Sequence, residues 1–125
     1  MSLNKHFILP LFAAGAMTLC APLSAEEVIA TVAQVADPAP PRPGTFMALW
    51  GHDYWALVYA QRYRDQLPGL ELVDHNGDFP RILGQGDRLL TLSRTLYQRP
   101  VRWWDERLST PVHLSSAAPG VIEIA

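Results

Sequence analysis

The sequence predicts an α/β fold: a small three-layer domain with a mostly parallel sheet of four to five strands, preceded by an N-terminal hydrophobic leader helix. Two observations carry this expectation. Short apolar runs alternate with segments whose apolar residues recur at helical spacing, the order expected when helices cover a parallel sheet. The junctions are tight clusters of Gly, His, Asp and Asn, in "LWGHDYWALVYAQ" (Leu49–Gln61) and again in "LVDHNGDFPRIL" (Leu72–Leu83). Right-handed crossovers would then bring the carboxyl ends of the parallel strands to one edge.

The elements follow in order. Residues 1–25 have Lys5 as their single charged side chain and a long uncharged run, "HFILPLFAAGAMTLCAPLSA" (His6–Ala25). A basic start, an apolar middle and a small-residue end describe a secretory signal peptide, with Leu23-Ser24-Ala25 as the cleavage site. The run is also long enough to act as a membrane anchor, although Pro10 and Pro22 shorten its helix. Residues 26–44 form a helix and a proline-rich linker. In "EEVIATVAQVA" (Glu26–Ala36), Val28, Ile29, Val32 and Val35 share a helical face, and "DPAPPRPG" (Asp37–Gly44) breaks the helix. The α/β domain is expected to span 45–125.

Within it, Thr45–Trp50 reads as a strand. Asp53–Leu67 reads as a helix capped by Asp53, with Trp55, Val58, Tyr59 and Tyr63 on one face and Arg62 pointing elsewhere. Pro68-Gly69 stops it. Leu70–Asp74 is a second strand. Asp78 caps a short helix through Leu83, with Pro80 in its first turn, where a missing N–H does little harm. Arg88–Ser93 is a third strand. Pro100–Leu108 is a helix with Val101, Trp104 and Leu108 on one face. Val112–Ser115 and Val121–Ile124 are two last strands around a turn at Pro119-Gly120.

Composition narrows the function. Nearly half of the 125 residues are apolar, and the net charge of −2 supplies no basic face for nucleic acid. The one cysteine, Cys20, lies in the leader, so a mature chain would hold neither a disulfide nor a thiolate metal site. No cofactor is expected. "GQGD" (Gly84–Asp87) lacks the third glycine and the helix of a dinucleotide loop, and no Gly-x-Ser-x-Gly elbow occurs.

The candidate ligand-binding residues lie where the strands end: His52 and Asp53 after the first, Asp74, His75, Asn76 and Asp78 after the second, Ser93 and Arg94 after the third. Open α/β sheets bind ligands at that edge. Histidines beside carboxylates can act as general acid and base, and Arg94 can hold a phosphate or carboxylate. The plainer reading is that Asp53 and Asp78 are helix caps and Asn76-Gly77 a turn. The spacing matches no defined metal motif, so no metal is assigned. In "LYQRPVRWWDERL" (Leu96–Leu108), Trp104 is expected in the core, Trp103 at its rim, and Asp105 and Glu106 opposite Arg102 and Arg107.

The run "LWGHDYWALVYAQRYRDQLPGLELVDHN" resembles the soluble C-terminal extracytoplasmic region of protein O-mannosyltransferase-like multi-pass membrane glycosyltransferases, of the GT-C type. The matching residues are Gly51, Asp53, Tyr59, Gln61, Pro68 and Asp74. "RLLTLSRTLYQRPVRWW" also resembles the later part of such a region, so the likeness extends over 26–125. It implies an exported or membrane-anchored domain whose partner is a membrane protein or a lipid-linked sugar. It also implies membrane contact through residues 6–25 if the leader is retained. The family's catalytic acids lie in loops between membrane helices, and none of that motif maps onto this chain.

The sequence thus points to an extracytoplasmic accessory or ligand- and partner-binding domain, not catalytic alone. Two alternatives stand beside it. One is a small metal- or His/Asp-dependent enzyme acting at the strand edge, which would be glycosyltransferase-related if the resemblance holds. The other is a structural or assembly protein that meets another subunit through the rim around Trp103.

Overall fold

The computed structural model describes residues 23–125. The leader helix expected over the first 25 residues lies almost wholly outside them. Among the described residues, no helix is long and apolar enough to cross a membrane.

Helix α1 (Ala25–Ala33) opens with a capping box. The Ser24 hydroxyl accepts the Glu27 N–H, and the Ser24 N–H donates to Glu27 Oε1, both at 3.2 Å. Two of the helix's unpaired first-turn donors are thereby satisfied. Strand β1 (Gly44–Met47) leads to helix α2 (His52–Tyr63), strand β2 (Leu70–Val73), the short helix α3 (Phe79–Gly84) and strand β3 (Arg88–Leu92). A 3₁₀ turn (Ser93–Tyr97), helix α4 (Val101–Leu108) and strands β4 (Leu114–Ala118) and β5 (Val121–Ile124) complete the fold.

The five strands lie in the order β2-β1-β3-β5-β4. β1 pairs in parallel with β2 and with β3, whereas β5 pairs antiparallel with both β3 and β4. The sheet is therefore mixed, not mostly parallel as expected. The cause is local. Only Pro119 and Gly120 separate Ala118 from its partner Val121. A two-residue link can join only antiparallel neighbours, since a parallel return needs a crossover of a dozen residues or more. Gly120 supplies the positive φ, +81°, that such a turn needs.

Side chains alternate across the sheet and build a core on each face. On one face Phe46, Ala48, Leu90, Leu92 and Val121 pack with Val28, Ile29 and Val32 of α1 and Leu57 and Ala60 of α2. On the other, Met47, Leu89 and Ile124 pack with Phe79 and Ile82 of α3 and Trp104 of α4. This is the expected three-layer arrangement. Because α1 is part of the first core, the compact unit begins ahead of Thr45. The proline segment also binds back onto the sheet: the Asp37 N–H donates to Pro68 O at 3.0 Å and the Arg88 N–H to Pro43 O at 2.9 Å.

Helix α2 does not bury its aromatic face. Ala56, Leu57 and Ala60 are the buried residues. Trp55, Tyr59 and Tyr63, which share one face as expected, are 52%, 53% and 77% exposed. The stripe is real, but it points outward. Alanines at 56 and 60 leave room for α1 to approach closely, and the bulky aromatic residues take the opposite side.

Candidate functional site

Strands β1, β2 and β3 run in one direction, so the segments that follow them share one edge of the sheet. The chain leaves β1 for α2 on one face and leaves β3 for α4 on the other. That divergence is a topological switch point, the place where open α/β sheets form a crevice. Here the crevice is spanned by an ion pair between Arg94 Nη2 and Asp53 Oδ1. Beneath it, the Thr91 hydroxyl donates to Met47 O at 2.7 Å and lies 3.1 Å from the Thr95 hydroxyl. Strands β1 and β3 are thus tied by side chains as well as by their ladder.

Asp53 does not cap α2. Gly51, at φ +120°, takes the N-cap position, and no side chain caps the helix. Asp53 falls one residue inside the helix, where its carboxylate reaches across to β3's end. Its side chain is 16% exposed and that of Arg94 31%. Arg94 Nε is buried without a hydrogen-bond partner among the described residues. Removing the carboxylate would leave a half-buried guanidinium unpaired. We expect Asp53→Ala to lower stability by about 1–3 kcal/mol in urea unfolding. Asp53→Asn, which retains a polar acceptor, should lose less.

The other candidate residues hold separate local contacts. His52 Nε2 lies 3.0 Å from Leu23 O, on the side facing α1 rather than β3. Asp74 Oδ1 accepts the Asn76 N–H at 2.9 Å, an Asx turn that carries the chain away from β2. Asp78 caps α3 as expected, accepting the Arg81 N–H at 3.3 Å. Ser93 begins the 3₁₀ turn, and its N–H donates to Gly120 O at 2.9 Å. The topology gathers all eight residues along one rim, and the contact it makes between strand ends is Asp53 with Arg94. Among the described residues, no group of three or more His, Cys, Asp or Glu is placed to hold a metal ion.

One residue important to the rim had no clear sequence signal. Arg107, on α4, donates from Nη1 to His75 O at 2.8 Å and from Nη2 to Gly77 O at 3.0 Å. Its guanidinium carbon sits 4.9 Å from the Phe79 ring centre and 5.0 Å from that of Trp103. It therefore locks the 74–78 turn onto α4, where the sequence had placed an acidic partner from its own helix. Glu106 pairs with Arg102 at 3.2 Å as expected, whereas Asp105 accepts the Val112 N–H at 2.9 Å.

Two open concavities among the described residues lie beside α2. A polar groove of about 540 Å³ lies under α2 across the starts of β1 and β2, lined by Gly44, Tyr54, Gln61, Arg62, Leu70 and Glu71. An apolar hollow of about 400 Å³ opens between α1 and α2, lined by Ile29, His52, Trp55, Ala56 and Tyr59. Trp50 extends the hollow's aromatic wall, its ring 5.9 Å from that of Trp55 in an edge-on arrangement. Tyr63 extends it the other way, 5.6 Å from Tyr59. Trp50, Trp55, Tyr59 and Tyr63 form an outward aromatic strip along α2, and each is more than half exposed.

Comparison with protein-family models, with curated proteins and with solved structures finds no match. The likeness to O-mannosyltransferase-like proteins therefore rests on the residues quoted for it.

Proposed function

We propose that this chain is an extracytoplasmic accessory domain that engages a partner through the outer face of α2, and that it is not catalytic alone. The aromatic strip is the observation that carries this reading. Four large rings held in water on one side of a small domain form the kind of patch that marks an interaction surface. Tryptophan and tyrosine are also the residues that dominate binding energetics, because they bring large rigid area with a polar tip.

The rim counts against chemistry at the strand ends. His52, Asp53 and Asp74 belong to three different sets of contacts rather than one constellation. A general acid and base must share a reacting atom within hydrogen-bond reach, and these three side chains are committed in different directions. The extracytoplasmic setting is supported by the charge pattern of residues 1–25. The sequence resemblance suggests a form for the partner, a membrane protein that handles lipid-linked sugar.

Photo-cross-linking in the producing cell tests the reading. A benzophenone side chain in place of Tyr59 or Tyr63 should give a discrete adduct. The same group at Tyr97, which is more open to solvent but follows β3 rather than lying on α2, serves as the exposure control. Adduct formation at Tyr97 alone, or at none of the three, would remove the α2 face as the working surface.

A further inference from the structure

The aromatic strip has a definite neighbour. The described chain begins at Leu23, which packs against the same core cluster as α1 and whose carbonyl meets His52. Ala25, Glu26 and Ile29, the next residues, line the hollow together with Trp55 and Tyr59. Residues 7–22, which precede Leu23, hold no charged side chain. The longest apolar run in the sequence therefore joins the folded domain at its aromatic face.

The chemistry of the face is also specific. Its rings are Trp and Tyr, with no Leu, Ile or Phe among them, and each can place a hydrogen-bonding tip among polar groups while burying a ring. These two residue types concentrate at membrane–water interfaces. Arg62, expected to point elsewhere, lies beside Trp55 by helical spacing, where the strip borders the groove under α2, and it is exposed and in no ion pair among the described residues. A long cationic side chain beside aromatic rings matches a surface carrying lipid phosphates, since its stem can lie among the rings while its head stays hydrated. Arg64, nearby, is already paired with Glu26 at 2.6 Å.

We propose that the outer face of α2 lies in the headgroup layer of a phospholipid bilayer, with Trp50, Trp55, Tyr59 and Tyr63 at its depth, beside the point where residues 7–22 meet α1. The inference rests on the binding role given to this face and names its partner as lipid. Held this way, the domain would sit with α2 parallel to the membrane plane. The groove under α2 and the rim with Asp53 and Arg94 would then be set at fixed heights above the bilayer.

The sequence supplies its own reporter. All four tryptophans fall among the described residues: Trp50 and Trp55 are exposed, Trp103 is half-buried and Trp104 is fully buried. The full-length chain is incorporated into phosphatidylcholine–phosphatidylglycerol vesicles whose acyl chains carry bromine near the headgroup end, and flotation confirms that it is bound. Tryptophan emission should be quenched, and Trp50→Phe combined with Trp55→Phe should abolish most of that quenching in the protein that floats. Tyr59→Glu with Tyr63→Glu, both at exposed positions, should weaken the quenching while leaving the reporters in place.

Floating protein with unquenched emission would overturn the proposal, as would quenching that survives in the double Phe variant. Iodide added to the aqueous phase then separates the remaining cases. Tryptophans shielded from both lipid bromine and iodide would mean that a protein surface, or a second copy of the chain, covers the face. The lipid assignment would fall and the binding role would stand. Tryptophans open to iodide, together with no adduct at Tyr59 or Tyr63 in the cross-linking experiment, would remove both.

Discussion

Trp104→Ala is expected to cost about 3–5 kcal/mol, the range for removing a fully buried large aromatic side chain. Trp104 is 0% exposed and is the largest fully buried side chain among the described residues. Its ring centre lies 5.1 Å from Phe79 and 4.9 Å from Trp103, so its removal would leave both neighbours facing a void. Trp104 Nε1 also donates to Arg99 O at 3.1 Å and fastens the start of α4. Small domains have total stabilities of only about 5–15 kcal/mol, so the loss is a large share of the whole. A urea titration should show a much lower midpoint or a protein already unfolded in water. Trp104→Phe separates the two contributions: most of the packing returns while Arg99 O loses its donor, for a loss of about 1–2 kcal/mol. If Trp104→Ala unfolded at the same urea concentration as the unaltered chain, the second core could not have this packing.

Gly69→Ala is expected to be the most damaging of the glycine substitutions. Gly69 has φ +75°, and an added Cβ would fall 1.8 Å from the carbonyl oxygen of Asp37. The obstacle is backbone, so no side-chain rotation can relieve it. The clash lies where the Asp37 N–H meets Pro68 O, and relief would mean pulling the proline segment away from β2. Positive φ costs about 1–2 kcal/mol for an alanine, and overpacking adds about 1–3 kcal/mol. Gly86→Ala is the matched control: its φ is +83°, but nothing lies within 4 Å of the added carbon. The difference between the two variants in thermal or urea unfolding should therefore report the seating of residues 37–43 alone. Equal losses at the two sites would mean that this segment is not held as described.

Which features could be foreseen follows from the range of the forces that set them. Strands β1 to β3 and helix α3 are written in local signals. Asp78 and Pro80 mark a helix start whatever the rest of the chain does, and short apolar runs between turn clusters mark strands. The common edge for residues 52–53, 74–78 and 93–94 followed from chain order alone. The partners along that edge did not. Asp53 was a plausible cap by its position after a strand, yet Gly51 occupies the cap position and releases the carboxylate to Arg94. Arg107 sits 32 residues from His75, and nothing in either neighbourhood announces the contact.

The burial of α2 shows a second limit. Periodicity located its aromatic stripe but could not say which way the stripe faces. A reading that ranks residues by size assigns Trp55, Tyr59 and Tyr63 to the core. The close approach of α1 instead favours Ala56 and Ala60, and that preference depends on a helix far away in the sequence. The sheet's sense failed for a related reason. The hairpin at Pro119-Gly120 was visible, but its insertion beside β3 is a pairing between distant segments.

That insertion governs when the domain can come together. β3 has a neighbour on one side only until Val121–Ile124 arrives, and β4 reaches the sheet solely through β5. A chain emerging from the ribosome cannot close this sheet before residue 124 is free. Until then Leu92 and its fellows on β3 stand at an open margin, a target for chaperones and a hazard for aggregation.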